Sequence, residues 1–233
     1  MTTKLINYRG RTIVLSVSLY FVYSNALHYF SYSSNSYGPD YWPVAPFLLT
    51  HVASGMIALL IGPLQFIKVI RQKYTKWHRI TGKTYLCCVL VGGSVAIYLE
   101  ITHTIMTSHD NIGHTGLIGL GSAWLSVSAM AFYAIKKRNF QQHREWIIRS
   151  YVATTAFVSF RIFFYLIPAL GGWGYEYIGP IMLWACWVVL LRITEMILQG
   201  SKIQRASMAL AKKKESDKLH VTVTTAATDK STS

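Results

Sequence analysis

The stretch His51–Glu100, HVASGMIALLIGPLQFIKVIRQKYTKWHRITGKTYLCCVLVGGSVAIYLE, decides the fold. Two apolar runs flank a centre that carries Lys68, Arg71, Lys73, Lys76, Arg79 and Lys83 and no acid. A hydrocarbon core roughly 30 Å thick takes about 20 mostly apolar helical residues to cross. The runs at 44–67 and 84–103 are of that length. Working outward, four more qualify, at 11–30, 115–135, 147–170 and 178–199. The first is diluted by Ser16, Ser18, Ser24 and Asn25, and Lys4, Arg9 and Arg11 ahead of it resemble a signal peptide. No small-x-small cleavage site follows, and Tyr and His continue to Phe30, so it reads as a helix.

Composition agrees. Of the 233 residues 52% are hydrophobic and only 14% charged, against roughly 25% charged in a soluble domain. With a mean hydropathy of +0.31, a disordered chain, a collagen-like chain and a nucleic-acid-binding domain are excluded. The net charge of +14 is explained by its placement. The N-terminal tail, the second-to-third loop, the fourth-to-fifth loop (Lys136, Lys137, Arg138, Arg144, Arg149) and the C-terminal tail are basic. The other three connections carry Asp40, Glu100 with Asp110, and Glu176, and no Lys or Arg. Alternate basic connections are the positive-inside pattern. The expectation is an all-α polytopic membrane bundle of six transmembrane helices in a bacterial inner membrane, both termini cytoplasmic.

Residues 1–200 form that transmembrane domain, with helices two to five, 44–170, as a four-helix core. Residues 201–233, basic and then polar, are expected to be a disordered cytoplasmic tail. Cys87, Cys88 and Cys186 lie inside apolar runs without CxxC spacing and read as small buried hydrophobes. The aromatic, glycine-rich stretches SYSSNSYGPDYWP and GGWGYEYIG fall at the outer headgroup layer.

Two helical hairpins share a pattern. Trp77-His78-Arg79, Lys83 and Tyr85 open the third helix, and His143-Arg144, Trp146, Arg149 and Tyr151 open the fifth. An ionisable group within a membrane is a functional candidate because desolvating it costs several kcal/mol unless it is partnered. Pairing by helix number sets His78 with His143 near the inside and His51 with His114 near the outside. Two such pairs suit two haems, since haem takes an imidazole on each side of the iron and cations for its propionates. Arg79 and Arg149 are the candidate cations, with Arg161, which lies five turns from His143 on one face of an unbroken helix. Interfacial His-Arg pairs on lipid phosphate would look the same in sequence.

Other polar residues carry smaller readings. Arg192 and Glu195 are spaced to pair along the sixth helix, and Gln65 is a candidate interhelical donor. Gly92, Gly93, Gly116, Gly119 and Gly121 point to close helix packing. Glu100 with His103 makes a single Glu-x-x-His, short of the pair a di-iron bundle needs, though zinc or copper near Asp110 and His114 is a further candidate.

HVASGMIALLIGPLQF (51–66), HRITGKTY (78–85), the Trp124 region and HREWIIRSYVATTAFVSFR (143–161) together resemble a largely bacterial family of membrane proteins, domain of unknown function 2306. Trp77 stands where Leu is expected before His-Arg, and Leu190 where Asn is expected. The resemblance implies the fold and membrane location and little activity. The core also looks like that of the ascorbate-dependent di-haem cytochromes b, in which helices two and four share one haem and helices three and five the other. The functional expectation is haem b ligated by His78 and His143, and by His51 and His114, moving electrons between a quinone or other redox partner and an outer acceptor. The alternatives are a non-redox module for lipid or a small anionic ligand, or a small transporter with Arg161 and His51 along a water-filled path. No enzymatic reaction is assigned.

Overall fold

In lipid every backbone polar group must be satisfied within its own segment, and among the described residues every regular element is helical. The computed structural model describes the backbone of residues 2–107, 111–169 and 175–229, and the side chains of 10, 12–102, 112–166 and 178–215. Helix α1 (Thr2–Asn25) leads through a 3-10 turn to the short α2 (Ser34–Tyr41). That helix breaks at Gly38, whose φ of 71° is the left-handed region that glycine enters without strain. Tyr37 stands edge-on to Tyr29, Tyr32 and Trp42, and its hydroxyl donates to the Tyr29 carbonyl at 2.8 Å.

Prolines open two elements, where the missing N–H would find no partner anyway. Pro46 lies in the first turn of α3 (Ala45–Ile61), and Pro63 opens the 3-10 turn Gly62–Phe66. The basic α4 (Lys68–Lys73) follows, then α5 (Thr75–Thr107), α6 (Asn111–Lys136), α7 (Phe140–Thr154), α8 (Ala156–Ala169) and α9 (Tyr175–Asp229).

Ser34–Phe66, Thr75–Thr102, Ile112–Lys136 and Ile178–Glu215 are each long and apolar enough to cross a membrane. Helices α7 and α8 together are long and apolar enough to cross as well, with a 43° bend between them. The protein is an all-α membrane bundle. The expected first crossing corresponds to a shorter apolar helix, Thr12–Asn25. Its polar end folds back on itself, Ser24 and Asn25 donating to the carbonyls of Tyr20 and Phe21 at 2.7 and 3.3 Å.

The chain divides into two units, Met1–Leu191 and Arg192–Ser233. In the first, α3 packs on α5, α5 on α6 and α6 on α7, and α3 also touches α7. These are the four helices expected as the core. Glycine sets their approach. A Cβ on Gly93 would lie 2.9 Å from Leu125, and one on Gly121 2.8 Å from Ile97, so α5 and α6 meet along a small-residue seam. The other side of α6 receives indoles: Trp184 would be 3.0 Å from a Cβ on Gly116, and Trp187 3.1 Å from one on Gly119. Trp184 donates its N–H to the Ile112 carbonyl at 3.0 Å. Trp184→Phe keeps the ring and removes that bond, and is expected to cost about 1 kcal/mol, read as a lower melting temperature in detergent.

The second unit belongs to the continuing helix α9, which runs to Asp229. That unit begins at Arg192, and α9 continues helical through the basic stretch that follows. The segment QRASMALAKKKE (204–215) is rich in strong helix formers. Glu195 accepts from Gln199 at 2.6 Å, and Arg192, expected to pair with it, is exposed. Cys87 corrects another expectation: it is exposed while Cys88 is half-buried and Cys186 buried, because neighbours on a helix point about 100° apart.

Candidate functional site

Side chains of α5 and α7 meet across the bundle. Tyr85 and Ser150 are fully buried, and their hydroxyls meet at 2.8 Å. Tyr85 also reaches the Thr154 hydroxyl at 2.9 Å, which accepts the Trp124 indole N–H at 2.9 Å. Ser150 in turn meets Ser128 of α6 at 2.7 Å, and Thr154 donates to the Ser150 carbonyl at 2.9 Å. Three helices are thus joined by a connected polar network without an unsatisfied hydroxyl, the arrangement that buried polar groups require.

Seven residues earlier on each helix stand His78 and His143. Seven residues are close to two helical turns, so each histidine projects from nearly the same face as the network residue above it. His78 is within electrostatic reach of His143, and of Arg71 and Arg79. The turn before α7 fixes His143. Arg138 adopts φ 56°, Asn139 N–H reaches back to the Ala134 carbonyl at 2.9 Å, and the Asn139 side chain caps the new helix by accepting from Gln142 N–H at 3.1 Å. His143 is thereby returned onto α6, where its Nδ1 donates to the Ala131 carbonyl at 2.8 Å. A carbonyl only accepts, so Nδ1 carries the proton and Nε2 keeps its lone pair in the neutral ring. The Nδ1 of His78 is buried and has no hydrogen-bond partner among the described residues.

Of the candidate cations, Arg79 is exposed beside this pair. Arg149 is engaged on its own helix, over the Trp146 ring at 4.6 Å and 4.0 Å from Glu145. Arg161 is exposed on α8. The 43° break between α7 and α8 separates it from His143, so the two do not share the face of one continuous helix.

His51 and His114 are each held by α5. His51 Nδ1 donates to the Gly92 carbonyl at 2.9 Å, and His114 Nδ1 bonds Glu100 at 2.9 Å. Glu100 is also within electrostatic reach of His51. A Cβ on Gly92 would stand 3.1 Å from Ser54, so α3 and α5 are in close contact beside His51. Gln65 fulfils its reading, its amide donating to Thr81 of α5 at 2.8 Å. The side chain of His103 and all of Asp110 lie outside the described residues. Among the described residues no group of three or more His, Cys, Asp or Glu is placed to hold a metal ion.

The sequence reading missed Ser128, Ser150, Thr154 and the indole of Trp124 as one network. A signal was present in the spacing: Tyr85 follows His78, and Ser150 follows His143, by the same seven residues.

The geometry is that of a membrane bundle whose most distinctive residues lie between positions 51 and 161. The model of the predicted membrane protein family DUF2306 matches residues 48–198, well over half of the chain. The chain belongs to this family. The matched DUF2306 segment contains α5, α6, α7 and α8, and with them the paired histidines and the hydroxyl network. No curated protein and no solved structure matches the chain.

Proposed function

We propose that this DUF2306 protein is a haem-binding electron-transfer module of a bacterial inner membrane, with the basic helix ends on the cytoplasmic side. His78 and His143 hold one b-type haem between α5 and α7. The observation that carries this reading is that each histidine stands seven residues before its network residue, one with its Nδ1 tethered to a carbonyl and the other with a buried Nδ1 that has no partner among the described residues. Metal-ligating histidines regularly donate their second nitrogen to a backbone carbonyl, which fixes tautomer and ring orientation. An orphaned buried nitrogen is costly unless something at the site uses or rearranges it.

A haem held by two imidazoles supplies a one-electron couple. The chain's own contribution is binding and orientation: the Ala131 carbonyl aims His143, and Arg79 stands beside the pair for a propionate. Arg149 serves the second propionate only by leaving Glu145. The proposal is confined to His78 and His143, because His114 is engaged by the Glu100 carboxylate and α3 and α5 are in close contact beside His51. A quinone or another redox protein is the expected exchange partner. The exposed Arg79 and Lys83 favour a second reading, a non-redox site for a small anion at the same end.

Absorption of detergent-purified protein from haem-replete cells tests the proposal. The expected result is a Soret band with sharp reduced α and β bands, at one haem per chain. His78→Leu and His143→Leu are each expected to lose the bands while helicity by circular dichroism is kept, and His51→Leu to retain them. A colourless, fully helical wild type overturns the haem reading and leaves the anion site standing.

A further inference from the structure

A groove of about 350 Å³ opens on the surface of the first unit, lined by Leu64, Ile70, Tyr74, Trp77 and Thr81. Three elements build it: the turn Gly62–Phe66, the short α4 and the first turns of α5. Its walls are apolar and aromatic, and Tyr74 and Trp77 remain exposed at 49% and 62%. An apolar surface rimmed by charge marks a binding surface, not a solvated loop.

The rim is of one sign. Lys68, Arg71 and Lys73 lie on α4, and Lys76, Arg79 and Lys83 follow on α5. No Asp or Glu occurs between Asp40 and Glu100. Lys73 is placed beside the groove directly, its Nζ lying 5.8 Å from the centre of the Tyr74 ring. These cations fix the depth of α4, since they cannot enter hydrocarbon cheaply and hold the helix at headgroup level. Tyr and Trp favour that same layer. The groove runs from it along Trp77 and Thr81 on the first turns of α5.

We propose that this groove is a specific site for one anionic phospholipid, its phosphate among Lys68, Arg71 and Lys73 and an acyl chain along Leu64, Ile70 and Trp77. A zwitterionic lipid offers the same chains, but its choline or ethanolamine meets a wholly basic rim. Charge complementarity therefore selects the headgroup while the groove supplies a chain-binding surface. The proposal does not rest on haem being bound, and Arg71 is also within electrostatic reach of His78.

The test is lipid retention by native mass spectrometry of the full chain, delipidated and then offered equimolar phosphatidylglycerol and phosphatidylcholine. The wild type is expected to retain phosphatidylglycerol by at least about tenfold over phosphatidylcholine. Replacing Lys68, Arg71 and Lys73 together by Gln is expected to remove the preference. Those three side chains are exposed, so the variant keeps the fold. Ile70→Trp, which fills the groove, is expected to reduce retention of both lipids. Equal retention of the two lipids by the wild type overturns the proposal, and so does an undiminished preference in the triple variant. Inorganic phosphate in place of the lipid separates the sources: if millimolar phosphate displaces phosphatidylglycerol fully, the site recognises a free anion and the acyl-chain assignment falls.

Discussion

Gly62→Ala is expected to destabilise the bundle by about 1–3 kcal/mol, the usual cost of overpacking a filled interior. A Cβ at this position falls inside the contact distance of the Tyr151 ring, and Tyr85 stands 3.4 Å away on another side. The ring cannot swing aside freely. Its hydroxyl donates to the Leu59 carbonyl at 3.3 Å, and its edge packs on Phe66 at a centroid distance of 5.8 Å. Gly55, two turns earlier in α3, is the control, because a Cβ there meets nothing within 4 Å. Gly55→Ala is expected to be neutral or stabilising, by up to about 1 kcal/mol of helix propensity. Denaturation in mixed micelles distinguishes the two. Equal effects at both positions would mean that backbone freedom, and not the Tyr151 contact, selects glycine at 62.

Ser150→Val is expected to cost about 3 kcal/mol or more, the larger of the two effects. Ser150 has no exposed surface, and its hydroxyl bonds both Tyr85 and Ser128. Valine removes those bonds and inserts an extra methyl group where three helices meet. A buried polar group left unsatisfied costs about 1–3 kcal/mol, and overpacking about as much again. Ser150→Ala separates the terms, since it removes the hydroxyl without adding volume. Single interhelical hydrogen bonds in membranes average only about 0.6 kcal/mol, so the alanine variant is expected near 1 kcal/mol. If alanine and valine prove equally harmful in the same denaturation assay, steric fit at this contact is not what matters.

The spans were legible in the sequence because hydropathy reports the part of a helix that must sit in lipid. It does not report the part that continues into water. Helices α5 and α7 begin at Thr75 and Phe140, well before the apolar windows at 84 and 147. Those polar first turns hold His78 and His143. The likeness between the surroundings of these two histidines was readable because it repeats along the chain. The partners of His51 and His114 were not, since helix number alone ignores α5, whose Gly92 carbonyl and Glu100 carboxylate hold them.

The break at Thr155 had no signal in glycine or proline. It lies in VATTAF, where the Thr155 N–H is shared between the carbonyls of Tyr151 and Val152 and the Thr155 hydroxyl also bonds Val152. Thr154 and Ser159 likewise bond backbone carbonyls four residues earlier. Hydroxyls that bond the preceding turn bend helices, and that local effect is invisible to hydropathy. The hydroxyl network was hidden for a related reason. Ser128, Ser150 and Thr154 are ordinary residues singly, and acquire meaning only where α5 and α7 meet.

Arg161 carries this geometry into the lipid itself. It stands outward on α8 next to Ile162, with Tyr165 and Leu166 also exposed along the helix. A guanidinium is not dissolved in hydrocarbon at small cost, so the neighbouring lipids bring headgroups and water down to it. The 43° bend between α7 and α8 takes the chain off a straight crossing next to this residue. A span bent in this way covers less hydrophobic height than a straight one of the same length, and mismatch of that kind favours thinner bilayers.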